Sequence, residues 1–317
     1  MSRNNGVVST AAPSFWSKKK NVAMMSIFYT FLWGSAFPLV KLCVEGFAIA
    51  DGDNMSKCLV AGIRFFFSGL LTLSLFRVVE KKPLKFEKPH IKYALVYGIL
   101  GSALQYAFTY IGLTNISGSK GAVFDQLAVF LIVLAGGIFF KDDRLNAYKV
   151  IGCAVGFAGI MITNMAKLEF TFSFEGEGYM ILAALCNASS YFIAKKSASG
   201  MSAMALVGGG HLIGGALLCV FSLVGGGRLT SVNPTAVITM VLLVGISSIA
   251  YILSLMPLKY HPASETSSFQ LLITVFGAVM SALLLGESIL RFNYLLALIL
   301  VGLGILLVNK KPSAKNK

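Results

Sequence analysis

The chain reads as an all-α polytopic membrane protein of ten transmembrane helices, arranged as two inverted five-helix repeats. Its composition is the first sign. Of 317 residues, 56% are hydrophobic and only 13% charged, too apolar a balance for a surface covered by water. The apolar residues fall in ten runs, over 21–44, 58–78, 93–113, 119–140, 146–164, 178–194, 202–225, 235–257, 263–285 and 292–309. A helix crosses a bilayer in roughly 20 residues, whereas barrel strands alternate over about 10. The third sign is duplication. At an offset of 145, Phe124 falls on Phe269, Asp125 on Gln270 and Leu145 on Leu290. At an offset of 154, Trp33 falls on Asn187, Ser35 on Ser189 and Lys41 on Lys195. Five spans per copy is an odd number, so the second copy enters the membrane in the opposite sense.

The expected organisation follows in chain order. Residues 1–20 form a polar cytoplasmic tail, 21–164 the first repeat, 165–177 an outer linker, 178–309 the second repeat and 310–317 a second cytoplasmic tail. Lys18-Lys19-Lys20 precede an apolar run too long for a cleaved signal peptide, so that run is the first span.

The net charge of +14 is explained by topology. Of the 27 lysines and arginines, Lys57, Lys120, Lys167, Arg228 and Arg291 fall on outer loops, and Lys41 and Arg64 lie within spans. The other twenty are on the inner side. That asymmetry places both termini in the cytoplasm and suits a plasma (inner) membrane. It also argues against nucleic acid as a partner; the expected partners are the lipid bilayer and a small-molecule substrate. Cys43, Cys58, Cys153, Cys186 and Cys219 form no Cys-x-x-Cys pair, so no metal or cofactor is expected. Cys43 and Cys58 fall near the outer ends of adjacent spans, where a disulfide is the alternative to two lone thiols.

Polar residues within the apolar runs mark the candidate site, because a charge at bilayer depth costs on the order of 3 kcal/mol. In the first span Trp33, Phe37 and Lys41 follow an i, i+4, i+8 spacing that puts them on one helix face, with Pro38 favouring a bend. The second span carries Arg64, the third Gln105 and Tyr106, and the fourth Asp125 and Gln126. In the second half the candidates are Asn187 and Tyr191, on the face matching Trp33 and Phe37, with Tyr251 in the eighth span and Gln270 in the ninth. Arg64 with Asp125 reads either as a site for an anionic group or as an ion pair that only joins helices. Asp125 and His211 are the proton-coupling candidates, His211 because imidazole titrates near neutrality; a hydrogen-bonded structural histidine is the alternative. The glycines 152, 156 and 159 of the fifth span suit close helix contact.

Trp33-Gly-Ser-Ala-Phe-Pro38, Arg64-Phe65 and Leu285-Gly-Glu287 resemble the EamA-type branch of the drug/metabolite transporter superfamily. The glycine-rich closing helix of each half adds to the likeness, which covers about residues 21–309. It implies ten spans in two inverted repeats and the export or exchange of small metabolites, commonly amino acids. Two departures stand out: Lys141-Asp142-Asp143-Arg144 replaces Leu-Gly-Glu in the first half, and the proline frequent in the middle of spans four and nine is missing.

The expected function is therefore secondary transport of a small polar metabolite, an amino acid or related carboxylate, by alternating access in the export direction. The protein would act as a monomer or homodimer, with coupling to protons as an option. An organellar-type nucleotide-sugar or sugar-phosphate exchanger is the alternative. An integral-membrane transferase is disfavoured, since it needs clustered carboxylates or histidines. A channel lacks a ring-forming filter motif.

Overall fold

The computed structural model describes residues 14–81, 83, 87–116, 121, 124–164, 172–285 and 292–310. Outside them lie most of both expected tails, linker residues 165–171, and the stretch from Gly286-Glu287 to Leu290 and Arg291. Among the described residues the chain is helical, with no strand.

Helix occupies each of the ten apolar runs. The first half comprises α1 (Lys19–Gly46), α2 (Asn54–Glu80), α3 (Lys88–Gly98), α4 (Gln105–Thr114), α5 (Leu127–Phe139) and α6 (Ala147–Asn164). The second comprises α7 (Tyr179–Ser197), α8 (Ala203–Val224), α9 (Pro234–Leu255), α10 (Ala263–Ser268), α11 (Leu272–Leu285) and α12 (Phe292–Val308). Six stretches are long and apolar enough to cross a membrane: α1, α2, Lys88–Leu113, α8, Pro234–Lys259 and Ala263–Leu284. The apolar helices Leu127–Phe139, Ala147–Ile162 and Leu295–Val308 are shorter. In α7 the polar Asn187, Ser189, Ser190, Lys195 and Lys196 dilute the apolar character. A count of ten therefore rests on four helices that length or composition leaves below that standard.

Local chemistry sets the ends and interruptions. Asp53 caps α2 by accepting from the Ser56 N–H at 3.0 Å, a contact typically worth about 1 kcal/mol. Between α3 and α4 the backbone loosens into a π-helical segment, Ile99–Leu104, a distortion that often accompanies functional sites. The fourth and ninth apolar runs break at matching places without proline. Gln126 sits in a turn ahead of α5, and Phe269–Leu271 form a 3-10 turn between α10 and α11. Pro38 leaves the Gly34 carbonyl without its helical donor. At that same level a side chain on Gly34 would fall 2.6 Å from Phe276 Cβ, so α1 and α11 approach closely there.

The helix pairings repeat between halves. α2 packs on α8, and α6 on α12, each pair joining equivalent spans. α1 packs on α9 and α11, just as α7 packs on α3, α4 and α5. The tightest seams are glycine-lined: a Cβ on Gly69 would lie 2.4 Å from Leu212 N, and one on Gly304 2.7 Å from the Gly152 carbonyl. In a bilayer the helix surfaces gain little by hiding from lipid, so close van der Waals contact between small residues holds them together. The exterior is correspondingly apolar, with Ile138, Val220, Val241 and Leu306 exposed. Cys43 and Cys58 are buried free thiols, so the disulfide alternative is not realised.

Candidate functional site

A central cavity of about 210 Å³ lies between the two halves. Ten of the residues singled out from sequence line it: Trp33, Phe37, Arg64, Gln105, Asp125, Gln126, Asn187, Tyr191, Tyr251 and Gln270. They come from α1, α2, α4, the break before α5, α7, α9 and the 3-10 turn before α11.

The two formal charges are held apart. Arg64 is 5% exposed; its Nε donates to Ser247 Oγ at 2.6 Å and its guanidinium lies 5.4 Å from the Phe65 ring centre. Asp125 Oδ2 accepts from Gln126 Nε2 at 3.4 Å. No ion pair joins Arg64 to Asp125. The purely structural ion pair weighed from sequence is therefore not formed, and the Arg64 guanidinium bonds instead to Ser247 of α9. Each charge lines the cavity without neutralising the other. Gln126 Oε1 is buried with no hydrogen-bond partner among the described residues.

Aromatic rings form the walls. Trp33 meets Tyr251 edge to face at 4.9 Å and Tyr29 at 5.2 Å. Tyr106 and Tyr251 share a hydroxyl–hydroxyl hydrogen bond of 3.0 Å. They are 145 residues apart, the offset that also relates Asp125 to Gln270, so two equivalent tyrosines touch between the halves. Tyr191 donates to Thr266 Oγ1 at 2.9 Å, tying α7 to α10.

Two candidates lie elsewhere. Lys41 is exposed on α1 and does not line the cavity. The cavity face continues past Pro38 to Val40, and each i, i+4 step turns about 40° around the helix, so Lys41 falls off that face. His211 is fully buried one layer behind the wall, packed against Tyr251 (4.6 Å), Phe65 (5.0 Å) and Tyr97 (6.4 Å). Its Nδ1 shares a 3.0 Å hydrogen bond with Ser68, and its Nε2 has no partner among the described residues. Sequence reasoning left Tyr97, Thr109, Tyr110, Ser190 and Ser254 out of the lining. Tyr106, noted only in passing, was legible through the 145 offset; Tyr110 follows it by one helical turn.

The bundle is fastened at one end of this cavity. Lys195, one turn beyond the lining residue Tyr191, bonds to Asp142 (3.0 Å) and to the carbonyls of Leu258 (3.0 Å) and His261 (2.7 Å). The fully buried Asp143 pairs with Lys149 at 2.5 Å and accepts from the Ser264 N–H at 2.9 Å and from its hydroxyl. Lys19 pairs with Glu265 at 3.1 Å. Toward the other end the lining runs on to Val40 and Leu113, near the final turns of α1 and α4. Among the described residues no cluster of His, Cys, Asp and Glu would hold a metal ion.

Two like helical halves around a polar-lined cavity, with an apolar exterior, define a membrane transporter. The chain belongs to the EamA-like transporter family, whose model matches residues 20–165 and 175–310. It is 28% identical over 309 residues to the uncharacterized transporter YvbV of Bacillus subtilis, covering 94% of each chain. It is also 28% identical over 214 residues to an uncharacterized transporter of Haemophilus influenzae, covering 63% of this chain and 67% of that one. A solved crystal structure matches with a TM-score of 0.76 over 92% of this chain and 98% of the other, at 15% identity, and so shares the fold.

Proposed function

We propose that this transporter exports a small zwitterionic or carboxylate metabolite of amino-acid type by alternating access. Ten helices cross the plasma membrane as two inverted repeats, with both termini cytoplasmic. The observation that carries the reading is that Arg64 and Asp125 line one cavity without pairing to each other. A buried charge without a matching partner is expensive, so each is balanced best by a substrate group of opposite sign. A carboxylate meets Arg64, an ammonium meets Asp125, and the Trp33 and tyrosine walls enclose the carbon skeleton. Asp125 also remains the candidate for proton coupling, whereas His211 has no contact with the cavity. The fastened end carries Lys19, Lys149 and Lys195 and corresponds to the cytoplasmic side by the distribution of basic residues. The structure then represents a state closed to the cytoplasm. Asp125 in the cavity disfavours the nucleotide-sugar and sugar-phosphate alternative, since it would repel phosphate.

Transport in proteoliposomes tests this directly, using a panel of amino acids, organic acids and nucleotide sugars with and without a pH gradient. Amino-acid uptake that competes with no sugar phosphate is the expected result. Counterflow of nucleotide sugars or sugar phosphates alone would overturn the assignment.

A further inference from the structure

We propose that a second cleft, at the fastened end of the bundle, binds the phosphate of an anionic phospholipid. The cleft lies between the start of α1, the 140–146 turn, the segment from Tyr260 to Glu265 and the end of α12. Five basic side chains line it, Lys19, Lys141, Arg144, Lys149 and Lys310, against Asp142 and Glu265. The acidic groups are already engaged: Asp142 with Lys195 and Glu265 with Lys19. Lys149 is balanced by Asp143. That leaves Lys141, Arg144 and Lys310 with no carboxylate within ion-pair distance among the described residues. Lys310 is held over the Tyr148 ring with Nζ 4.7 Å from its centre. The positive end of the α6 dipole, at Ala147, adds to the same field.

The surroundings favour a lipid over a free ion. Leu145 and Val308 also line the cleft, and the adjoining faces of α6 and α12 expose Val150, Ile151, Leu303 and Leu306. A phosphodiester in the cleft leaves its acyl chains to run along these apolar faces, which a free phosphate would leave unused. Basic pockets between spans on the cytoplasmic side are suited to such headgroups. The cytoplasmic orientation proposed above decides only which leaflet supplies the lipid, and binding can be read without it.

Native mass spectrometry of the full chain, released from nanodiscs of equimolar phosphatidylglycerol and phosphatidylcholine, is the test. One retained phosphatidylglycerol per chain is expected. The folded double variant Arg144→Gln/Lys310→Gln should weaken retention roughly 30-fold, the worth of two basic residues near a membrane surface. Arg144→Lys/Lys310→Arg should keep the lipid. So should Arg77→Gln/Lys92→Gln, which removes charge from the same end but outside the cleft. Retention should persist in millimolar inorganic phosphate. Equal retention of both lipids, equal loss in both glutamine variants, loss in the charge-keeping variant, or displacement by inorganic phosphate would each overturn the proposal. None of these outcomes depends on which substrate is transported.

Discussion

The two repeats place equivalent residues in equivalent positions and then use them differently. Tyr106 and Tyr251 remain alike and meet through their hydroxyls. Asp125 and Gln270 both line the cavity, but only the first half supplies a carboxylate. Lys41 and Lys195 diverge most: Lys41 is exposed, while Lys195 ties α7 to Asp142 and to two backbone carbonyls. The like pairs build the scaffold. The unlike pairs put a carboxylate on one side of the cavity only and supply the contacts that fasten one end.

The largest effect should come from removing the charges. Arg64→Gln or Asp125→Asn is expected to lower transport roughly 100-fold, in line with a few kcal/mol for stranding one member of a charged contact. Membrane yield should stay near wild type, and the double variant should remain inactive. Rescue of transport in the double variant would show that the two serve each other rather than a substrate. Next come the seams between halves. Gly304→Ala forces a methyl to 2.7 Å from the Gly152 carbonyl and should lower thermal stability by roughly 1–3 kcal/mol. Gly302→Ala, two residues away, meets nothing within 4 Å and should be neutral in the same melting experiment.

The lysine comparison gives a smaller effect. Lys195→Met should loosen the fastened end and raise cytoplasmic labelling of a cysteine placed at Ser190 about tenfold, the cost of a charged hydrogen bond. Lys41→Met should leave labelling unchanged. Equal labelling in the two variants would remove Lys195 from the closure. The smallest effect belongs to the tyrosine pair. Tyr106→Phe or Tyr251→Phe deletes one shared hydrogen bond of about 1 kcal/mol and should change substrate affinity some fivefold. Because the hydroxyls bond to each other, the double variant should cost little more than either single one.

Much of the lining was legible in sequence from polar side chains that interrupt apolar runs, as at Arg64, Asp125 and Gln270. Such interruptions are costly enough in lipid to stand out. The spacing misled at Lys41, because each i, i+4 step drifts about 40° around the helix, and Val40 rather than Lys41 stays on the cavity face. It also failed to separate His211, buried behind the wall, from residues in the wall, since depth along a span does not say which neighbour covers a side chain. The breaks at Gln126 and Phe269–Leu271 had no proline to announce them. Their equivalence shows only once the repeat offset is carried into the structure. The partner of Arg64 was beyond sequence too: Ser247 is one of several buried serines in α9, and folding alone selects it.

The central claim is that one cavity offers a cation and an anion to opposite ends of a single substrate. Competition in proteoliposomes among a zwitterionic amino acid, its carboxamide and its N-acetyl derivative tests that claim most directly. The carboxamide keeps only the ammonium, and the N-acetyl derivative keeps only the carboxylate. The zwitterion should bind at least about tenfold better than either, because each lost ionic contact is worth more than 1.4 kcal/mol. Arg64→Gln should erase the penalty for the carboxamide, and Asp125→Asn the penalty for the N-acetyl derivative. Equal affinity for all three ligands in the wild-type protein would contradict the account.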